Sequence, residues 1–297
     1  MIIETTAQQI KAMEIRGAGK IARAVAFALK EYSTQLYEHD TKKYIQALEN
    51  ATIVLKNTRP TAVSLTNAIN YVMRNAKGDT VEQIRDNIIK AADEFISNSE
   101  NAVNKIAGLC ANKIKDGDVI LTHCNSTTAV QSIIKAFQDG KKVRVFSTET
   151  RPWRQGHITS QALADAGVDV TLIVDSAARH FMKEINIIII GADTITASGT
   201  VYNKIGTSQI ALCAHEFNIP VIVCAESYKF SDANIKDEEI KIEERDHNEV
   251  VEAGILKGVK IRNPVFDSTP AEYICEIITE QGIVLPQEIP SFLDKIY

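Results

Sequence analysis

Through the first third of the chain, apolar residues return at three- and four-residue spacings. Beyond it they gather into short unbroken runs. Residues 7–31 set Ile10, Met13, Ile21, Val25 and Leu29 on a helical period, interrupted at Arg16-Gly17-Ala18-Gly19. Two more helical segments are expected at about 42–55 and 61–75, separated by Asn57-Thr58-Arg59-Pro60. Pro60 pushes Arg59 toward extended geometry, so the break falls there and Thr61 lies near the next helix start. Thr80-Val81-Glu82-Gln83 has the form of a capping box. It should open a helix to about residue 113, along which Ile84, Ile88, Ala92, Phe95, Ile96, Val103, Ile106 and Leu109 recur. At ~1.5 Å per residue such a helix is about 50 Å long, a candidate spine between domains.

After Asp116-Gly117 the pattern changes. Short β-rich runs stand at 119–121, 143–146, 170–174, 187–190 and 221–224, separated by helix-like segments, and 259–261 is a further strand candidate. Nearly all-apolar strands alternating with helices indicate a parallel sheet covered on both faces. Thr269-Pro270-Ala271-Glu272 should open a last helix, with proline in its first turn. The expected organisation is therefore α/β, with a helical domain over 1–113 and a parallel-sheet domain over 114–297. The polar segment 231–248 is expected to be a solvated excursion.

Composition removes several classes. The 297 residues are 45% hydrophobic and 24% charged, as in an ordinary globular chain, and two domains suit the length. A net charge of −5 gives no global basic field, so no nucleic-acid partner is expected, and an anionic ligand must be held by a few local cations. The longest aliphatic run, Ile187 to Ile190, is far short of the roughly 20 residues of a spanning helix, so no membrane role is expected. Glu4, Thr5 and Thr6 break the apolar start at once, so no leader is expected. Five widely spaced cysteines without a C-x-x-C argue against a zinc ribbon and for reduced thiols in the cytoplasm.

In an open α/β sheet, ligands bind beyond the carboxyl ends of the strands. Four loops there carry chemistry: Thr122-His123-Cys124-Asn125-Ser126-Thr127-Thr128; Glu149-Thr150-Arg151-Pro152-Trp153-Arg154-Gln155-Gly156; Gly191-Ala192-Asp193 with Asn203-Lys204-Ile205-Gly206; and Tyr228-Lys229-Phe230. Ser126 and Thr127 could cap a helix or hold a phosphate, since both uses share one geometry. Cys124 taken alone reads as a small buried hydrophobe. Its place just before a helix N-terminus is what should lower its pKa and make it reactive. Cys110, Cys213, Cys224 and Cys275 fall within helix or strand patterns and read as packing. Cys213 and His215, two apart on a helix, face different ways and are not a metal pair. No G-x-G-x-x-G follows the first strand, and Gly17-Ala18-Gly19-Lys20 has Ile21 where a P-loop needs Ser or Thr. Neither nucleotide motif stands, and no metal or cofactor is expected.

Arg16-Gly-Ala-Gly19, Arg59-Pro-Thr-Ala62, Cys124-Asn-Ser126, Glu149-Thr-Arg-Pro152 with Gln155-Gly156, Gly191-Ala-Asp193 and Asn203-Lys-Ile-Gly-Thr207 together resemble one family. It holds the aldose-phosphate isomerases of methylthioribose 1-phosphate and ribose 1,5-bisphosphate, and the regulatory subunits of the exchange factor for translation initiation factor two. The resemblance runs from about residue 14 to 280. It implies a helical N-terminal domain followed by a Rossmann-like α/β domain. It implies Cys124 and Asp193 as the catalytic pair. Arg16, Gly17, Ala18, Gly19, Arg59, Ser126, Thr127, Thr128, Asn203, Lys204 and Lys229 would bind substrate, with Arg151 and Arg154 as additional phosphate contacts. The translation subunits generally lack the Cys/Asp pair, and the methylthioribose enzymes carry a small or apolar residue where Arg16 stands. Within the family the resemblance therefore implies isomerisation of ribose 1,5-bisphosphate to ribulose 1,5-bisphosphate in AMP and nucleoside salvage. Methylthioribose 1-phosphate isomerisation and a non-enzymatic translation subunit are the alternatives. It also implies a homo-oligomer, dimer or hexamer, and suggests AMP as an activator.

Overall fold

The computed structural model describes residues 2–59, 61–232, 237 and 240–296. Pro60 and part of the polar segment 231–248 lie outside the described residues. The chain divides into two compact units, Met1–Ala102 and Val103–Tyr297, and one long helix runs through the division.

The first unit is helical: α1 (Ile2–Lys11), α2 (Ala18–Gln35), α3 (Thr41–Lys56), α4 (Val63–Met73) and the first part of α5 (Val81–Ala111). The 3.6-residue period places Ile10, Ile21, Val25, Leu29, Leu48, Leu65, Ile69, Ile84 and Ile88 in its interior. Tyr44 is buried with them, its hydroxyl donating to the Ser33 carbonyl at 2.7 Å. The cap of α5 differs from the expected box. Thr80 Oγ1 accepts from Gln83 N, but the Gln83 side chain accepts from Asp79 N at 2.8 Å rather than from Thr80.

The second unit is built on a seven-stranded sheet: β1 (Val119–Thr122), β2 (Arg144–Thr148), β3 (Asp169–Ile173), β4 (Ile187–Gly191), β7 (Val221–Cys224), β9 (Glu276–Thr279) and β10 (Gly282–Val284). Their spatial order is β10-β9-β7-β4-β1-β2-β3, parallel throughout except for the β9–β10 pair. Helices α6 (Thr127–Gln138), α7 (Gln155–Asp165), α8 (Ala178–Phe181) and α9 (Thr207–Glu216) fall between its strands, and α10 (Ile289–Ile296) follows β10. The four isoleucines of β4 show why such strands are all apolar. Ile188 and Ile190 enter one core with Leu121, Val223 and Ile277, while Ile187 and Ile189 enter the core of the other face with Ile120, Ile222 and Ile278. A small antiparallel sheet, β5 (Thr194–Ile195), β6 (Val201–Lys204) and β8 (Phe266–Thr269), stands beyond the end of β4.

Three expectations are corrected. Residues 259–261 form no strand; Val259 is 56% exposed between lysines, and the strand of this region is β8. Thr269-Pro270 opens no last helix. A single 3-10 turn at Ala271–Tyr273 is followed by the β9–β10 hairpin, because Ile277 and Ile278 supply opposite faces of the sheet. The described part of 231–248 is largely exposed, as expected, and is anchored at a few points. Asp237 accepts from Ser198 and Thr200, each at 2.7 Å, and Arg245 stands 5.6 Å above the Trp153 ring. Cys275 is also exposed rather than packed, and all five cysteines are free.

Candidate active site

β1 and β4 are neighbours, and the chain leaves them in opposite directions, towards β2 and β3 on one side and β7 and β9 on the other. Between two such strands the loops separate and leave a crevice beyond their carboxyl ends. His123 and Cys124 leave β1 there, and Ala192 and Asp193 leave β4. Two residues of different chemistry, 69 positions apart in the chain (193 − 124), thus end neighbouring strands.

Cys124 sits in a left-handed turn, φ 66°, that breaks the strand direction. Its N–H donates to Thr150 Oγ1 at 2.9 Å and its carbonyl accepts from Thr159 Oγ1 at 2.7 Å. Burial pushes the thiol up to about 11. Lys204 pulls the other way and loses; Asp193 and Asp175 add to the rise. The expectation of a lowered pKa is thereby overturned. α6 starts at Thr127, behind a serine cap, and its field does not outweigh the desolvation of the sulfur. At neutral pH Cys124 is a thiol with a proton to give.

The α6 start is capped by its own serine. Ser126 Oγ accepts from Ala129 N, and Thr128 Oγ1 donates to the Cys224 carbonyl at 2.9 Å, leaving the Ser126 hydroxyl proton for Thr128. Thr128 is buried, so its side chain is committed to the scaffold. The Thr127 and Thr128 amides, in the first turn, have no acceptor within the helix and suit an anion. Gly191 makes this placement possible: a Cβ there would lie 2.4 Å from Ser126 Oγ.

Asn203 and Lys204 come from the end of β6. Asn203 is buried and donates to Thr207 Oγ1 at 3.0 Å. Lys204 is half-buried, its ammonium 5.1 Å from the Phe266 ring centroid. The loop after it is held by Asp267 of β8, whose carboxylate accepts from Gly206 N at 2.7 Å and Ser208 N at 3.1 Å, at the start of α9. Lys229 is buried against Glu226 at 2.7 Å. Burial pushes the Glu226 carboxyl up, but the Lys229 ammonium outweighs it and holds the group below its ordinary value. Lys229 is therefore a paired cation. Arg151 and Arg154 are exposed, and the Arg151 guanidinium already donates to the Val250 carbonyl at 2.8 Å.

In the first unit, Gly17, φ 90°, precedes α2 without a side-chain cap. The first-turn amides Ala18 and Gly19 follow, flanked by exposed Arg16. Ser64 Oγ donates to the Ala18 carbonyl at 3.3 Å, which sets the start of α4, and the Arg59 turn preceding it, beside the start of α2.

Sequence reasoning placed His123 and Thr150 within strand-end loops without giving either a role, and passed over Thr148, Asp175 and Asp267. The strand-end rule reaches the first four, since they close β1, β2 and β3. Nothing in the sequence around Asp267 marks it. Among the described residues no group of three or more His, Cys, Asp or Glu is placed to hold a metal, and no helix is long and apolar enough to cross a membrane.

A thiol and a carboxylate thus end neighbouring strands at the switch point of a parallel sheet, beside a hydroxyl-rich helix start. The chain belongs to the initiation factor 2 subunit family, whose model matches residues 14–286. It is 50% identical to ribose 1,5-bisphosphate isomerase of Methanocaldococcus jannaschii over 100% of this chain and 96% of that protein. It is 40% identical to methylthioribose-1-phosphate isomerase of Thermosipho africanus over 93% of this chain and 85% of that one. Among solved structures, translation initiation factor eIF-2B of Pyrococcus horikoshii OT3 superposes with a TM-score of 0.83 at 34% identity, covering 96% of this chain and 97% of that one.

Proposed function

We propose that this chain isomerises ribose 1,5-bisphosphate to ribulose 1,5-bisphosphate. The observation that carries the reading is the Cys124/Asp193 pair at the ends of the adjacent parallel strands β1 and β4. The higher identity to the ribose 1,5-bisphosphate isomerase than to the methylthioribose enzyme supports the choice of substrate. The residues proposed to bind substrate are Ser126 to Thr128, Asn203, Lys204 and Lys229, with Arg151 and Arg154 as outer cations, and, from the family resemblance, Arg16 to Gly19 and Arg59.

An aldose 1-phosphate hides its C1 carbonyl in a ring acetal, so the ring must open before hydrogen can move. Cys124 holds a proton at neutral pH and delivers it to the ring oxygen as the C1–O bond breaks. The cation left at C1 acidifies the C2 hydrogen, which the Asp193 carboxylate takes and returns to C1. The C2 hydroxyl gives its proton back to the Cys124 thiolate as the C2 ketone forms. The balance is one hydrogen moved from C2 to C1 and one proton moved from the C2 oxygen to the ring oxygen. A homo-oligomer, dimer or hexamer, belongs to the same reading and comes from the family resemblance alone.

The test is turnover of ribose 1,5-bisphosphate, methylthioribose 1-phosphate and ribose 5-phosphate by the purified protein, read as ketose formed. The bisphosphate should be preferred, and Cys124→Ser or Asp193→Asn should each lower turnover roughly 100-fold or more. Solvent deuterium should appear at C1 to the extent that the proton held on Asp193 exchanges with water before it is returned. Equal efficiency on methylthioribose 1-phosphate would move the substrate assignment, and no ketose from any sugar would favour the non-enzymatic subunit.

A further inference from the structure

His123 is buried next to Cys124, and three segments meet on its ring. Nε2 lies 2.9 Å from the Ile205 carbonyl and Nδ1 lies 2.6 Å from Thr148 Oγ1. A carbonyl oxygen can only accept, so Nε2 carries the hydrogen and Nδ1 accepts from the Thr148 hydroxyl. The order of donors then continues in one direction. Cys124 N–H donates to Thr150 Oγ1 at 2.9 Å, and the Thr150 hydroxyl lies 3.4 Å from both Thr148 Oγ1 and the Thr148 carbonyl oxygen, so its proton goes to Thr148 by either route. A run of hydrogen bonds thus joins the Cys124 N–H, through Thr150, Thr148 and His123, to the Ile205–Gly206 peptide, the second peptide after Lys204. Gly206 lets that peptide come close, because a Cβ there would stand 3.2 Å from the imidazole, and its φ is +103°.

We propose that His123 is a positioning residue that holds Cys124 and Lys204 in register for the isomerisation proposed above, one ring nitrogen serving each side. The inference rests on that reading for its kinetic part. The charged groups near the ring are the Asp175 carboxylate, 4.0 Å from Nδ1, and Lys204. Burial favours the neutral ring and holds its pKa below the ordinary value. Neutrality is what the role requires: a protonated Nδ1 could not accept from Thr148, and the run to Cys124 would break.

The two nitrogens can be separated by substitution. His123→Gln places an amide donor where Nε2 stands and keeps the Ile205 link, but removes the acceptor for Thr148. His123→Asn places an amide oxygen where Nδ1 stands and keeps the Thr148 link, but loses Ile205. With ribose 1,5-bisphosphate, the Gln variant should lose about tenfold or more in kcat with KM little changed, and the Asn variant should raise KM about tenfold with kcat nearly kept. Equal losses of both constants in both variants would overturn the assignment. The unmutated protein supplies the second measurement, which needs neither activity nor a stable variant. With 15N-labelled histidine, His123 should show the Nε2–H tautomer with no titration from about pH 5.5 to 8, where a free imidazole passes through half-protonation. An Nδ1–H tautomer, or titration near the ordinary histidine value, would sink the proposal. Wild-type protein without isomerase activity but with this tautomer would instead discard the reaction and leave the clamp.

Discussion

Asp267 carries its carboxylate into a mostly enclosed position, where two peptide N–H groups meet it. Burial outweighs those two bonds and pushes the group up to about 6, against an ordinary 3.8. The folded chain therefore holds this proton more tightly than the unfolded one. The stability contributed by the protonated form is complete below the unfolded value and is lost as pH rises through about 6. Asp267→Asn keeps an acceptor and removes the charge. In thermal melts the variant should gain on the parent by roughly 1–2 kcal/mol between about pH 4 and 7, after discounting for partial exposure. A difference that stays flat with pH would show that burial does not govern this carboxylate. Cys124 follows the same physics with the opposite use, since its raised pKa keeps a proton available instead of imposing a cost.

β4 and α6 meet through one glycine and one serine, and that contact sets where the helix starts. At Gly191 a Cβ would fall 2.4 Å from Ser126 Oγ and 2.5 Å from Ser126 Cβ, so the cap residue must move. Gly191→Ala should lower stability by about 1–3 kcal/mol through loss of the cap and displacement of the first turn. It should also weaken binding of inorganic phosphate, read by the same melting assay. Gly108, inside α5, is the control. A Cβ there meets nothing within 4 Å, so Gly108→Ala should stabilise by about 0.5–1 kcal/mol through helix propensity. Destabilisation at Gly108 as large as at Gly191 would show that the effect is not the Ser126 contact.

α2 begins without a side-chain cap, beside exposed Arg16, whereas α6 begins behind Ser126, whose hydroxyl takes the Ala129 amide and leaves those of Thr127 and Thr128. Ribose 1,5-bisphosphate carries one phosphate more than ribose 5-phosphate, and the monophosphate leaves the donors meant for the second unpaired. Each charge-assisted contact forgone costs about 1–3 kcal/mol. Ribose 1,5-bisphosphate at a hundred times its Kd should stabilise the protein by about 2.7 kcal/mol, with ribose 5-phosphate at the same concentration far behind. Comparable melting shifts for the two sugars would remove the argument for a second phosphate.

The repeating pattern of apolar positions foretold the helices of the first unit and the strands β1, β2, β3, β4 and β7, because periodicity records locally which side of a segment is buried. It also placed Cys124, Ser126 and Asp193 at strand ends, since that rule needs only the order of elements. It misread 259–261 and Thr269–Glu272, whose local patterns match a strand and a helix start. Their fate was decided by whether a sheet edge stood opposite. The small sheet β5-β6-β8 and the roles of His123 and Asp267 were hidden for the same reason. His123 meets a carbonyl 82 positions away, and Asp267 caps a helix 61 positions away. The Cys124 thiol shows the limit most clearly: its chain neighbours suggested an acid strengthened by a helix start, whereas the folded surroundings bury it and make it weaker. Burial of a face repeats along the chain and can be read from it; proton affinity depends on desolvation and charge from segments that meet only on folding.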